Sequence, residues 1–426
     1  MRTRPLGFFE ELGHRYDQGY TLNFVTAARV ARSLTEAEVV AGLARLQQRH
    51  PSLAVDIAGH APATIPLLTR EAGPDAWTDV MTDELRDGHW GPQRAPARCT
   101  LLQHPGGGNT LLLTLWHAVS DGKSGILAMR DLLATLAAPT RTIEPCAPTR
   151  LEDYLPADFR TGAAKRYLAR QDELGRVGRF QKWGKGNVAA PKDRRLTVAP
   201  VRLSAEQTRA LDALAKRHGV TLHGVLSAAI ARAICEHASL PPDAPLLAFH
   251  PVDMRAYLAR RNEATVPESV GYFISFVDSA LRMTAERDLW ADAKRYNEAV
   301  HGALEAGVPR FTAAGGATLT RLVQRLLGVS LSRRVFEGPF GHAAFALSNL
   351  GALERMGVAP GSEHDLGLDA LHFAGAGSMT CNICCSAVGL GGALLLNVGT
   401  VHPGLPDDAA ARLAASIERD LANAVA

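Results

Sequence analysis

A chain of 426 residues can hold two domains of ordinary size, and its 46 Lys and Arg against 43 Asp and Glu leave a formal net charge of only +3. The charges are scattered, which excludes a basic face for nucleic acid and an acidic tail. No apolar h-region follows Met1-Arg2-Thr3-Arg4-Pro5 and no apolar run approaches the ~20 residues of a membrane span, so the six Cys read as reduced thiols of a cytoplasmic protein.

Phe8-Phe9-Glu10-Glu11-Leu12 reads as a short helical or loop piece, and Leu22 to Ala28 as an extended one. Residues 35–49 predict an amphipathic helix with Val39, Leu43 and Leu46 on one face. Ser33 or Thr35 caps its start and Pro51 closes it. Residues 52–68 read as one or two short strands, and the polar region around Trp77 and Trp90 predicts no clear element. Pro96 to Gln103 and Asn109 to His117 are the arms of a hairpin turned at Gly106-Gly107-Gly108. The Pro-rich stretch from Pro139 to Pro156 breaks the pattern, and residues 158–186 are charged and helical before turning Gly-rich. Together they read as a crossover between two halves.

The second half opens with a strand from Leu196 to Leu203 and a helix capped by Ser204 that runs through Lys216. Val220-Thr221 starts an Ala-rich helix through Cys235, apolar enough to be buried all round. Strands follow from Leu246 to Val252, leading to Asp253-Met254-Arg255, and from Gly271 to Val277. Helices are expected at about 288–305 and 317–330, then a strand from Ala343 that ends in the polar turn Ser348-Asn349. A hairpin of Thr380 to Val388 and Ala393 to Val398 precedes a helix at 407–424. The predicted class is α+β: an N-terminal lobe, 1–187, that includes the crossover 139–187, and a C-terminal lobe, 188–426.

The stretch most suited to chemistry is Trp116-His117-Ala118-Val119-Ser120-Asp121-Gly122. It lies between the apolar run Leu111 to Leu115 and a helical pattern through Ile126, Met129, Leu133 and Leu136, which Asp121 or Ser120 can cap. His117 therefore sits where a strand ends and a turn begins, held by rigid backbone. The spacing suits a general base of fixed orientation; a partly buried His and a turn Asp are the plain alternative. No second His or carboxylate cluster has ligand spacing nearby, so no metal is expected. Cys381-Asn382-Ile383-Cys384-Cys385 has one Cys-x-x-Cys without a second pair, and reads as buried strand thiols.

The order of these features resembles the chloramphenicol-acetyltransferase-like superfamily of CoA-dependent acyltransferases, which includes peptide condensation domains, polyketide-associated acyltransferases, alcohol acetyltransferases and the plant BAHD enzymes. His117-Ala118-Val119-Ser120-Asp121-Gly122 matches its His-x-x-x-Asp-Gly motif. Arg49-His50-Pro51-Ser52-Leu53, the pair of helices from Leu203-Ser204 to Leu226, Pro251-Val252-Asp253-Met254-Arg255 and Leu347-Ser348-Asn349-Leu350-Gly351 resemble further segments in the family's order. Trp116 stands where many relatives have a second His, and the Asp-Phe-Gly-Trp-Gly-like segment of some branches is missing. The pattern is nearer to free-standing bacterial O-acyltransferases than to plant or peptide-condensing branches.

The resemblance implies two lobes meeting at a channel with the His117 loop at its middle. It implies transfer of an acyl group from acyl-CoA or an acyl carrier protein to a hydroxyl or amine of a small-molecule acceptor, in secondary or lipid metabolism. His117 is the expected base; Asp121 is structural and pairs with Arg255, unless Arg255 pairs with Asp253 or Glu263 at the surface. Gly122, Ser348, Asn349, Trp116 and Tyr272 are candidates for oxyanion or substrate contact. No resident cofactor is expected, only a CoA or phosphopantetheine thioester as co-substrate, and a monomer is the expected state. A non-catalytic thioester- or carrier-binding member of the fold, an amide-forming condensation enzyme and a thioesterase are the competing readings.

Overall fold

A computed structural model describes residues 5–17, 21–54, 63–86, 95–184, 193–241, 243–284, 286, 288–337, 343–361, 366–376 and 381–425. The first sheet has the order β2-β3-β4-β1-β9, with β1 Asn23–Val30, β2 Leu67–Glu71, β3 Ala97–Gln103, β4 Asn109–Trp116 and β9 Leu368–Gly375. The expected hairpin is present: β3 and β4 are antiparallel, Ala97 facing Leu115. β1 lies between β4 and β9, antiparallel to both, with Asn23 facing Trp116 and Phe24 facing Gly375.

The second sheet has the order β5-β11-β10-β8-β6-β7, from β5 Arg195–Leu203, β6 Pro245–Asp253, β7 Ile274–Arg282, β8 Ala343–Ala352, β10 Ile383–Leu390 and β11 Ala393–His402. β8 runs parallel to both its neighbours, β10 and β6, and the other pairs are antiparallel. Both sheets are thus mixed and covered by helices, the two-lobed α+β architecture.

Helices follow from local sequence. α2, Glu36–Arg49, opens on a capping box in which Thr35 and Glu38 satisfy each other's backbone N–H. Its Val39, Leu43 and Leu46 pack with Ile126, Met129 and Leu132 of α4, Gly122–Ala137, on the first sheet. α6, Ala205–Arg217, opens on a second capping box at Ser204. The buried α7, Leu222–His237, packs beside α9, Leu289–Glu305, and α11, Ala409–Val425, in the core of the second lobe. α3, Trp77–Arg86, occupies the region around Trp77 that predicted no clear element; Trp90 lies outside the described residues. Its Val80, Met81 and Leu85 share one cluster with Val25 and Leu112 of the first sheet and Leu196, Val198 and Val401 of the second, so α3 fills the space between the sheets.

The chain does not divide in space where it divides in sequence. β9 comes from the far half yet completes the first sheet, because β1 would otherwise be an open edge. α1, Phe8–Asp17, and α5, Ala163–Gly175, both from the first 187 residues, lie on α10, Val308–Glu337, of the second half. Arg321 of α10 donates to the Phe8 carbonyl and to Glu11 at 2.7 Å. Two smaller differences are corrections. Strand β2 begins only at Leu67, after a 3-10 turn at Pro51–Leu53, and 55–62 lie outside the described residues. Arg255 is not on the strand but in the first turn of α8, Met254–Arg260, which Asp253 caps through its bond from Arg255 N–H.

Candidate active site

His117 follows directly on the last residue of β4, and its N–H donates to the Leu22 carbonyl at 2.8 Å, just before β1. The chain then turns tightly: Val119 N–H and the Ser120 hydroxyl both donate to the Trp116 carbonyl, at 3.2 and 2.6 Å. That turn brings the Ser120 carbonyl to 2.7 Å from His117 Nδ1. A carbonyl only accepts, so Nδ1 carries the proton, and the lone pair of the neutral ring is on Nε2. The ring of Phe24 on β1 meets the imidazole edge-on at 5.3 Å, and Tyr272 lies 5.8 Å away on the other lobe. Burial pushes the imidazole below its ordinary pKa; the Ser120 carbonyl and the Asp121 charge oppose this without overcoming it.

Asp121 faces the opposite way. As N-cap of α4 its Oδ1 accepts from Ser124 N–H at 2.8 Å, while Oδ2 accepts from Arg255 Nη1 at 2.9 Å and Phe273 N–H at 2.8 Å. Arg255 is buried, with its guanidinium 4.2 Å from the Phe273 ring and Nη2 donating to Ser124 Oγ and the Ser269 carbonyl at 3.0 Å each. Burial pushes the Asp121 carboxyl up, but Arg255 and these N–H donors outweigh it and hold the pKa below the usual value. Asp253 also takes Arg255 Nη1, at 3.2 Å, and Lys123 Nζ on its other oxygen, at 3.2 Å. Three residues at the start of α4, Asp121, Lys123 and Ser124, are therefore cross-linked to Asp253 and Arg255 at the start of α8.

Gly122 opens α4 against β9 and β8: a Cβ there would sit 3.4 Å from the Phe373 ring and 3.9 Å from Leu350. Strand alternation puts Ser348 on the Leu350 side of β8, toward the motif loop. Asn349 points to the other side, where its Oδ1 accepts from Gly351 N–H at 2.9 Å, so its oxygen is committed to the turn. Trp116 is fully buried beneath the loop with its ring edge-on to His14 at 5.6 Å, a core position and not an open wall. The structure thus brings His117, Gly122 and Tyr272 together, with Ser348 on the adjoining strand, and leaves Trp116 and Asn349 turned elsewhere.

Sequence reading passed over Ser124, Phe273 and Phe24. Ser124 Oγ accepts from Arg255 Nη2 and from Gly271 N–H, at 3.0 and 3.1 Å, and so carries the connection between the two lobes. Its signal was its place three residues after Asp121, the capping distance. Among the described residues no group of three or more His, Cys, Asp or Glu gathers as a metal site, and no helix is long and apolar enough to cross a membrane. The thiols of Cys381 and Cys385 are buried at and beside the start of β10, and burial pushes both up in pKa.

The family described as phthiocerol/phthiodiolone dimycocerosyl transferase C-terminus matches residues 192–361. Pyochelin synthetase PchE of Pseudomonas aeruginosa is 30% identical over 215 residues, 48% of this chain. The matched segment covers 14% of the length of that much longer synthetase. The structure of polyketide synthase associated protein 5 from Mycobacterium tuberculosis superposes with a TM-score of 0.68 at 17% identity, over 99% of this chain and 98% of that one. The trichothecene 15-O-acetyltransferase from Fusarium sporotrichioides gives 0.70 at 14% identity, over 99% and 95%.

Proposed function

We propose that this chain, which shares the two-lobed fold of polyketide synthase associated protein 5 and the trichothecene 15-O-acetyltransferase and matches the dimycocerosyl transferase C-terminus family over residues 192–361, transfers an acyl group from a CoA or carrier-protein thioester to a hydroxyl, with His117 as base. The observation that carries this reading is the tautomer: Nδ1–H is held by the Ser120 carbonyl, which leaves Nε2 free to accept a proton between Phe24 and Tyr272.

As the acceptor oxygen attacks the thioester carbonyl, its proton passes to His117 Nε2. The tetrahedral oxyanion collapses, the C–S bond breaks, and the imidazolium returns the proton to the leaving sulfur. The products are an ester and a free thiol, with no covalent acyl-enzyme. Lowering of the His117 pKa by burial keeps the base neutral at cellular pH. Asp121 acts as a positioning residue: its oxygens are committed to Ser124, Arg255 and Phe273, and the cap they form sets the loop that holds His117. Ser348, on the adjoining strand β8, is the candidate to assist the oxyanion or the acceptor.

Amide formation is the second reading, favoured by the 30% identity to a segment of pyochelin synthetase PchE. One assay addresses both. Thiol release is followed with a panel of acyl-CoAs and acyl-phosphopantetheinyl carrier proteins, with alcohols, with amines, and without acceptor. Release that needs an alcohol supports the proposal, and release that needs an amine supports condensation. Release without acceptor makes the protein a thioesterase, and no release by any pair, with ligand still bound, makes it a binding member of the fold.

A further inference from the structure

A cavity of about 630 Å³ lies away from the motif loop, between the second halves of α2 and α4, the 141–144 stretch and the 357–359 turn. Its size is that of a small-ligand site. Four arginines line it, Arg45, Arg49, Arg130 and Arg141, against two acids, Asp131 and Glu144. Asp131 is already spent within the protein. It accepts from His50 Nε2 at 2.9 Å, Arg130 Nε at 2.8 Å and Arg49 Nε at 3.2 Å. Burial pushes this carboxyl up, but the His50 and Arg130 bonds more than reverse it and keep it ionised. Asp131 thus orients two guanidinium forks and offsets one of their charges, while Arg130 Nη1 also pairs with Glu268 at 3.0 Å.

Some of these arginines also build the wall. Arg49 Nη1 donates to the Glu144 carbonyl at 2.5 Å, and Arg45 Nη2 to the Arg141 carbonyl, which pins the 141–144 stretch. Each bond uses part of a fork. Arg130 Nη1 is taken by Glu268 and the Met356 carbonyl and Arg45 Nε is shut away from the cavity, but among the described residues Arg49 Nη2 and Arg130 Nη2 have no protein acceptor. A planar fork with free N–H groups matches a phosphate better than any other common anion partner. The lining also includes the apolar Leu133, Val358 and Leu366, which offer a surface to the body of such a ligand.

We propose that this cavity binds a phosphate ester with an apolar or aromatic body, the phosphates on Arg45, Arg49 and Arg130. Such a ligand has two sources, the phosphoadenosine end of a CoA thioester or a free nucleotide-like phosphate. The site does not depend on the acyl-transfer reading, since none of its residues touches His117.

Calorimetric titration of the full chain at low ionic strength with adenosine 3′,5′-bisphosphate, pyrophosphate and CoA tests it. Arg45→Met should weaken bisphosphate binding by about tenfold or more, the loss of a charge-assisted bond. Ala134→Phe fills the cavity without changing charge and should abolish binding, with melting of both variants checked against the parent chain. His117→Ala should bind as the parent does, which separates this site from the acyl-transfer centre. CoA that displaces the bisphosphate identifies the donor as the source; bisphosphate that binds while CoA does not identifies a free phosphate ligand. Absence of binding by all three probes, or equal binding by the parent chain, Arg45→Met and Ala134→Phe, overturns the proposal.

Discussion

Arg255 Nη1 stands 2.9 Å from Asp121 Oδ2, across 134 residues of sequence, with 3% and 4% of the two side chains exposed. The carboxylate that follows the candidate base by four residues is therefore directed at the other lobe, and the imidazole takes its orientation from a backbone carbonyl instead. Orientation of the ring and attachment of the loop are separate tasks, which single substitutions can tell apart.

His117→Ala should lower turnover by about 10²–10⁴-fold, the range for general-base assistance. Its melting temperature should stay near that of the parent, since the ring makes a single hydrogen bond, to a carbonyl. In the parent, kcat/KM should rise with pH along a single limb whose apparent pKa lies below the ordinary ~6.5 of histidine, then level off. The sign follows from burial, which disfavours the imidazolium. A limb centred above 7, or a variant retaining more than a few per cent of activity, removes His117 from the role.

Asp121→Ala leaves a buried guanidinium without its main partner and should cost about 3–5 kcal/mol in urea unfolding. Arg255→Met should cost a similar amount, and the double variant less than their sum, because the pair fails as a unit. The folded pKa of Asp121 is depressed, so its contribution is present above the unfolded carboxyl pKa and is lost as pH falls below it. If the two single costs add fully in the double variant, the pair is not coupled.

Gly125 sits where α4 meets β1: a Cβ would lie 2.3 Å from the Phe24 ring and 2.6 Å from Thr26 Oγ1. Gly125→Val should push Phe24, whose ring borders His117, and so reduce kcat even where the folded fraction stays high. Activity per folded molecule equal to that of the parent would show that Phe24 has no influence on the base.

A histidine pair lies in the other lobe. His223 Nε2 and His250 Nδ1 are 2.9 Å apart, and His250 Nε2 is 2.7 Å from Ser279 Oγ. Burial pushes His223 down to about 4 and His250 well below its ordinary value. Below about 6.5 the unfolded chain takes up protons that the folded pair refuses, so stability falls with pH at about 1.4 kcal/mol per unit for each ring. Urea midpoints between pH 7 and 4.5 should therefore drop more steeply than in His223→Gln. Parallel slopes would mean that the pair accepts protons when folded.

The motif loop was legible because strand, cap and glycine all act within a few residues, as at His117, Asp121 and Gly122. Capping boxes at Thr35 and Ser204 were legible for the same reason. β9 was not, since Leu368–Gly375 holds no β-branched residue and gains its strand character from pairing with β1. The helical placement of Arg255 was hidden by the brevity of α8, seven residues that continue directly from β6. The roles of Asn349 and Trp116 could not be read either, because which way a polar turn or a buried ring points is decided by distant partners such as His14.

The last strand of the first sheet has a consequence for how this molecule is made. More than half the chain is synthesised between Trp116, where β4 ends, and Leu368, where β9 begins. At about 5–20 residues per second the ribosome needs on the order of tens of seconds to cover that distance. For most of this interval the N-terminal strands are outside the exit tunnel with one side of β1 unpaired, a template for any extended segment nearby. The protein is thus exposed to mispairing by its order of birth, and a pause between those two points lengthens the danger.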